Sequence, residues 1–120
     1  MHALTIAHCA RTCDIVHAQW TLSAGCAWLA RGFHGRPIVA TLQGSDVFQV
    51  TRSGLGAWLT RLVLARCDRI SAISRALADA AAATGVPKSR VTVVPNGVNV
   101  EHFVPSVEPR ERLLLFVGSL

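Results

Sequence analysis

At 120 residues the chain is one domain at most, able to bury roughly two-thirds of its unfolded surface. A hydrophobic content of 51% and a mean hydropathy of +0.39 exclude a disordered protein. The net charge of +5 invites a nucleic-acid reading, but the basic residues are spread singly from Arg11 to Arg112, with no aromatic–basic motif beside them. A composition rich in Arg and Ala accounts for the charge, and an anionic substrate or lipid could also use it.

Taken in order, the chain alternates helix-like and strand-like runs. Leu4 to Arg11 reads as a helix leading into a strand at Asp14-Ile15-Val16-His17. A helix is expected over Leu22 to Phe33. It contains the longest apolar run, Leu22 to Ala30, which is far short of the ~20 residues that span a bilayer. Met1 is followed by neither a basic region nor a small-residue cleavage site. These features predict a soluble, cytoplasmic protein, with contact at a membrane surface left open.

Further strands are expected at Pro37 to Thr41, Arg69 to Ile73 and Val91 to Val94, with helices over Gly54 to Arg66 and Arg75 to Thr84. The last helix has clear punctuation: Ser74 to cap its start, Gly85 for a left-handed residue after its end, then Pro87. The spacing of the strands matches βαβ units, hence a parallel α/β sheet with right-handed crossovers and strands covered on both faces. A fifth apolar run, Leu113 to Val117, follows a polar linker from Ser106 to Arg112, and the chain stops three residues later. We expect the sheet to be truncated at both ends.

Cys9, Cys13 and His17 are spaced four apart with His8 alongside, but the expected strand interrupts any shared helical face. Neither CxxC nor HExxH occurs, so ordinary buried thiols in a reducing compartment are expected, with no metal and no cofactor.

Ligands of open parallel sheets bind where strands exit into helix N-termini. The four exits here carry His17-Ala18-Gln19-Trp20, Thr41-Leu42-Gln43-Gly44-Ser45-Asp46, Ser74, and Pro95-Asn96-Gly97-Val98-Asn99. Each has a plain structural reading. Asn96-Gly97 is a common turn pair, Ser74 and Asp46 can each cap the next segment of chain, and His17 can be a packed, half-buried histidine. Polar and glycine residues nevertheless collect on one rim.

The run from Gly85 to Asn99, continued by Phe103 and Pro105, resembles the segment closing the N-terminal domain of family-4 glycosyltransferases. The strand Asp14 to His17, the stretch Pro37 to Asp46 and Ser71 to Ser74 resemble that domain in the same order. Leu115 to Leu120 resembles the opening strand of the donor-binding domain. The resemblance implies the GT-B architecture of two Rossmann-like domains facing a cleft. Residues 1–105 would then be the later part of the acceptor-side domain, 106–112 a linker and 113–120 the truncated start of the next domain.

It further implies retaining transfer of a sugar from a nucleotide diphosphate donor to an unknown acceptor, with the chain inactive alone. Gln43, Gly44 and Asp46 would line the acceptor loop, and Asn96 and Gly97 the interdomain edge. Gly44, lacking Cβ, would let backbone N–H groups approach a ligand. The family often has His where this chain has Gln19 and Gln43. Glutamine hydrogen-bonds a hydroxyl but holds no proton near neutral pH, so sugar recognition replaces proton transfer at both positions. Ser119 stands where Arg is frequent, and the glycine-rich loop after the family's first strand is absent from the sequence. The competing reading is a stand-alone Rossmann-like module that binds a phosphate-bearing ligand or a partner chain.

Overall fold

The computed structural model describes residues 2–44, 54–105, 112–114 and 116. Helix α1 (His2–Cys9) runs through a single 3-10 turn into strand β1 (Val16–Gln19). Then come α2 (Thr21–Leu29), the short α3 (Arg31–His34), β2 (Ile38–Leu42), α4 (Leu55–Arg66), β3 (Arg69–Ala72), α5 (Arg75–Ala83) and β4 (Val91–Val93). The four strands pair in chain order, β1-β2-β3-β4, and every pair is parallel. The expected α/β parallel sheet is therefore the architecture found.

The first strand lies two residues later than the apolar pattern suggested. Ile15 is 55% exposed, and pairing starts where the Val16 N–H donates to the Pro37 carbonyl at 2.9 Å. His17 is consequently mid-strand rather than at the exit, and it is exposed rather than packed in a core. The helix expected over Leu22 to Phe33 divides at Ala30, and Gly35 closes the second piece with a left-handed φ of 66°. At α5 the local signals translate directly. The Ser74 hydroxyl accepts the Leu77 N–H at 3.3 Å, and Gly85 takes a φ of 96°, a conformation that costs an L-residue with a Cβ.

Alanines let the layers close up. Ala18, Ala40 and Ala72 of the sheet and Ala24, Ala27 and Ala81 of the helices are buried, around Ile38, Leu42, Leu64, Cys67 and Ile70. Between α2 and α4, a Cβ on Gly25 would meet Val63 Cγ2 at 3.4 Å. The start of the sheet is pinned by Asp68. One carboxylate oxygen accepts the buried Ile38 N–H at 2.8 Å, and the other pairs with Arg31 at 3.1 Å. Arg31 also donates to the Arg66 carbonyl at 3.1 Å. His34 is a satisfied interior histidine: the Arg36 N–H donates to its Nδ1 at 2.9 Å, leaving Nε2–H to donate to the Ala27 carbonyl at 3.1 Å.

Burial on both faces of the strands is not what forms. Ala18, Ile38, Ala40, Leu42, Ile70 and Ala72 are buried on one face. On the other, His17, Gln19, Arg69 and Thr92 are exposed, and Val39, Thr41 and Ser71 are half-buried. The alternation V-H-A-Q and R-I-S-A is that of strands with one buried and one polar side. The thiols also depart from expectation: Cys67 is buried, whereas Cys9 and Cys13 are exposed. Leu113, Leu114 and Phe116 are exposed and outside the sheet. The rest of that apolar run and most of the linker before it lie outside the described residues. No helix among the described residues is long and apolar enough to cross a membrane.

Candidate functional site on the strand-exit rim

Parallel strands all end on the same rim, so the sequence-predicted residues can be placed by following each strand to its exit. Gln19 is the last residue of β1 and stands opposite Thr41. Gln43 is two residues beyond Thr41, on the same side of the sheet by strand alternation. The two amides therefore meet diagonally, and Gln43 Nε2 donates to Gln19 Oε1 at 2.7 Å. One step lower the same diagonal repeats: His17 stands opposite Val39, and its Nε2 lies 2.7 Å from Thr41 Oγ1.

This is a polar ladder of four neutral or weakly basic side chains climbing to the rim of β1 and β2. It presents amide, hydroxyl and imidazole groups, with no carboxylate, ammonium or guanidinium among the four. Ser71 and Thr92 continue the level of Thr41 across β3 and β4 by register.

The remaining predicted positions are not gathered into that cluster. Gly44 follows Gln43 directly, is exposed, and a Cβ there would meet nothing within 4 Å. Asp46 lies outside the described residues. Asn96 and Gly97 are exposed on the non-strand segment beyond β4, two strand spacings from β2, roughly 10 Å along the rim. Pairing continues one residue past β4, where the Val94 N–H donates to the Ala72 carbonyl at 2.8 Å. Asn99, rather than Asn96, makes the local turn, its Oδ1 accepting the Glu101 N–H at 2.9 Å.

Trp20, named at the first strand exit but given no role by the sequence, stands out in the structure. A single residue separates β1 from α2, and the turn forces it to φ 73°, ψ 153°. That region is essentially reserved for glycine and costs of order 1–3 kcal/mol for any other residue. Both backbone groups are nonetheless used. The N–H donates to the Thr41 carbonyl at 3.0 Å, and the carbonyl accepts the Ala24 N–H at 3.1 Å. The indole stays half exposed.

A cavity of about 340 Å³ lies elsewhere, between α2 and α4, lined by Leu22, Trp28, Leu29, Leu59 and Val63 among others. Its walls are apolar, and no set of polar groups converges in it, as a reaction site would require. Among the described residues, no three His, Cys, Asp or Glu side chains are grouped to hold a metal.

Residues 3–102 match the family model of Glycosyltransferase Family 4. The chain belongs to glycosyltransferase family 4. Its fold is shared with the crystal structure of the Anabaena protein HepE in complex with UDP, at a TM-score of 0.67 and 18% sequence identity. That likeness covers 81% of this chain and 27% of the other, so this family-4 chain spans about a quarter of the structure it matches. No curated protein sequence matches it. Within the family-4 segment lie all four strands, the Gln19–Gln43 pair and the Asn96-Gly97 segment.

Proposed function

We propose that this chain is the acceptor-side part of a longer cytoplasmic enzyme that transfers a sugar, with retention, from a nucleoside diphosphate donor to a hydroxyl acceptor. Membership of glycosyltransferase family 4 sets the class. The observation that carries the reading further is the Gln19–Gln43 amide pair at the exits of adjacent parallel strands. Two amides held 2.7 Å apart recognise hydroxyls and do not titrate, which suits binding an acceptor rather than moving its proton. The UDP held by HepE supports a nucleoside diphosphate donor. In this reading residues 113–120 begin the donor-binding domain, Gly44 and Asp46 lie in the acceptor loop, and Asn96 and Gly97 face the cleft between domains. Peripheral contact with a membrane belongs to the same reading, drawing on the net charge of +5.

The test uses the longer protein of which this chain would be part, assayed for transfer and checked for folding by thermal melt. Gly44→Ala and Asp46→Asn should lower the transfer rate without changing the melt, and His17→Gln should change the rate little. Abolished turnover in a folded His17→Gln protein would move the centre of the site away from this loop. A wild-type protein that consumes no nucleotide-sugar, with or without acceptor, would sink the transferase reading.

A further inference from the structure

Trp20 is the one described non-glycine residue with a positive φ, and it occupies the whole connection between β1 and α2. The backbone there does the work of a sharp strand-to-helix elbow, a turn that elsewhere serves to hold one side chain out at the top of a parallel sheet. Glycine would take that conformation without strain. A half-exposed indole recovers only part of the burial that would justify its bulk, so the reason for tryptophan lies on its exposed side.

Its surroundings define the ligand chemistry. The preceding residue is Gln19, whose oxygen is spent on Gln43 while its amide N–H groups remain available for a hydroxyl. Trp20 itself is tied by its N–H to the Thr41 carbonyl, two residues before Gln43. Among the described residues of these two exits, Gln19, Trp20, Thr41, Gln43 and Gly44, none is charged. These five described side chains and backbones offer a phosphate or carboxylate no counter-charge. A neutral ring with an apolar C–H face and hydroxyls at its edge matches both features, the aromatic surface for the face and the amides for the edge.

Resting on the transferase reading above, we infer that Trp20 is the platform on which a neutral pyranose ring of the acceptor stacks, with Gln19 holding a hydroxyl at its edge. Trp20 is then a specificity-determining residue that selects a sugar acceptor over an anionic or purely aliphatic one.

The experiment needs neither donor nor turnover, so its failure would leave the transferase reading standing, and the failure of that reading in a transfer assay would leave this result intact. In a Trp28→Phe/Trp58→Phe chain, Trp20 is the sole tryptophan, and its fluorescence is followed at high dilution. Methyl β-D-glucopyranoside and methyl β-D-galactopyranoside are titrated in, with sorbitol and uridine as controls. A saturable change with at least one pyranoside, reduced at least tenfold in apparent affinity by Gln19→Leu, is expected, with sorbitol and uridine silent. No response to either pyranoside, an equal response to sorbitol, or a response to uridine alone would each overturn the proposal.

If the double replacement does not fold, the unmodified sequence labelled with 5-fluorotryptophan gives the same readout by fluorine NMR. The Trp20 line is then assigned by its loss in Trp20→Phe. Trp20→Gly separates this role from a structural one. It is expected to melt at or above the parent temperature, and a fall of several degrees would show that the indole is kept for the fold.

Discussion

Gln43 and Gln19 are joined by the same diagonal step that joins Thr41 to His17, each pair 24 residues apart in the chain and 2.7 Å apart in space. The first of these bonds closes the rim between two strand exits. Because Gln19 is exposed and Gln43 only half-buried, breaking it returns an amide to water. Gln43→Leu should therefore cost less than about 1 kcal/mol. A double-mutant cycle with Gln19→Leu should show coupling of about 0.5 kcal/mol or more, measured by urea unfolding. Zero coupling would mean that the two amides do not meet in solution.

Asp68 should dominate the acid response. Burial pushes its carboxyl up, but the Ile38 N–H, the Arg31 guanidinium and the charge of Arg90 outweigh that and hold it below its ordinary value of 3.8. A carboxylate depressed on folding stabilises the protein above the unfolded value, and that contribution is lost as pH falls through the folded one. Stability measured between pH 6 and pH 2 should decline below about pH 4 in the parent, and the decline should be shallower in Asp68→Asn. Asp68→Ala, which leaves the buried Ile38 N–H without its acceptor, should cost about 1–3 kcal/mol at neutral pH. Identical acid profiles for parent and Asp68→Asn would refute the assignment.

The thiols should separate cleanly by reagent. Burial, reinforced by the neighbouring Asp68 charge, pushes Cys67 up to about 11, and its Sγ–H donates to the Val63 carbonyl at 3.3 Å. Iodoacetamide at mildly alkaline pH should alkylate exposed Cys9 and Cys13 in the native chain and reach Cys67 only after unfolding. Mass spectrometry of the labelled peptides decides this, and rapid native labelling of Cys67 would contradict the packing.

Large apolar side chains on the helices remain in water: Leu22 at 72%, Leu29 at 69%, Phe33 at 70% and Trp58 at 58% exposed. Leu22 and Leu29 also line the apolar groove between α2 and α4, and exposed apolar surface of this kind drives association. The isolated chain should elute from size exclusion well above its 12.8 kDa, and Leu22→Glu with Leu29→Glu should move it toward monomer. A sharp monomer peak from the parent chain at tens of micromolar would count against this surface being sticky.

How much the sequence disclosed depends on how local each signal is. Ser74, Gly85 and Pro87 announce the limits of α5 within a few residues, and both the cap and the left-handed glycine form as read. The break at Ala30 is hidden because, from Ala24 to Ala30, only small and apolar residues occur, leaving nothing to mark where the helix turns. Strand β1 was misplaced because Ile15 looks like a core residue, while its exposure is decided by pairing with β2. The polar face is legible in the recurrence of His17 and Gln19 and of Arg69 and Ser71 at every second position, a pattern that apolar runs alone do not reveal. The Gln19–Gln43 bond required the register, which no local pattern supplies. Trp20 was the hardest to see, since a bulky aromatic stands where one would search for glycine.

The strands of the sheet lie side by side in the order in which they are made. Val16 pairs with Ile38, Val39 with Arg69 and Ile70 with Val91, so among the described residues each strand pairs with the next one along. A chain emerging from the ribosome can add each βα unit to the edge of the last without reopening what has formed. Growth by accretion places the amide pair early. Gln19 and Gln43 can close the rim as soon as the second strand has docked, before the segment bearing Asn96 and Gly97 has been synthesised.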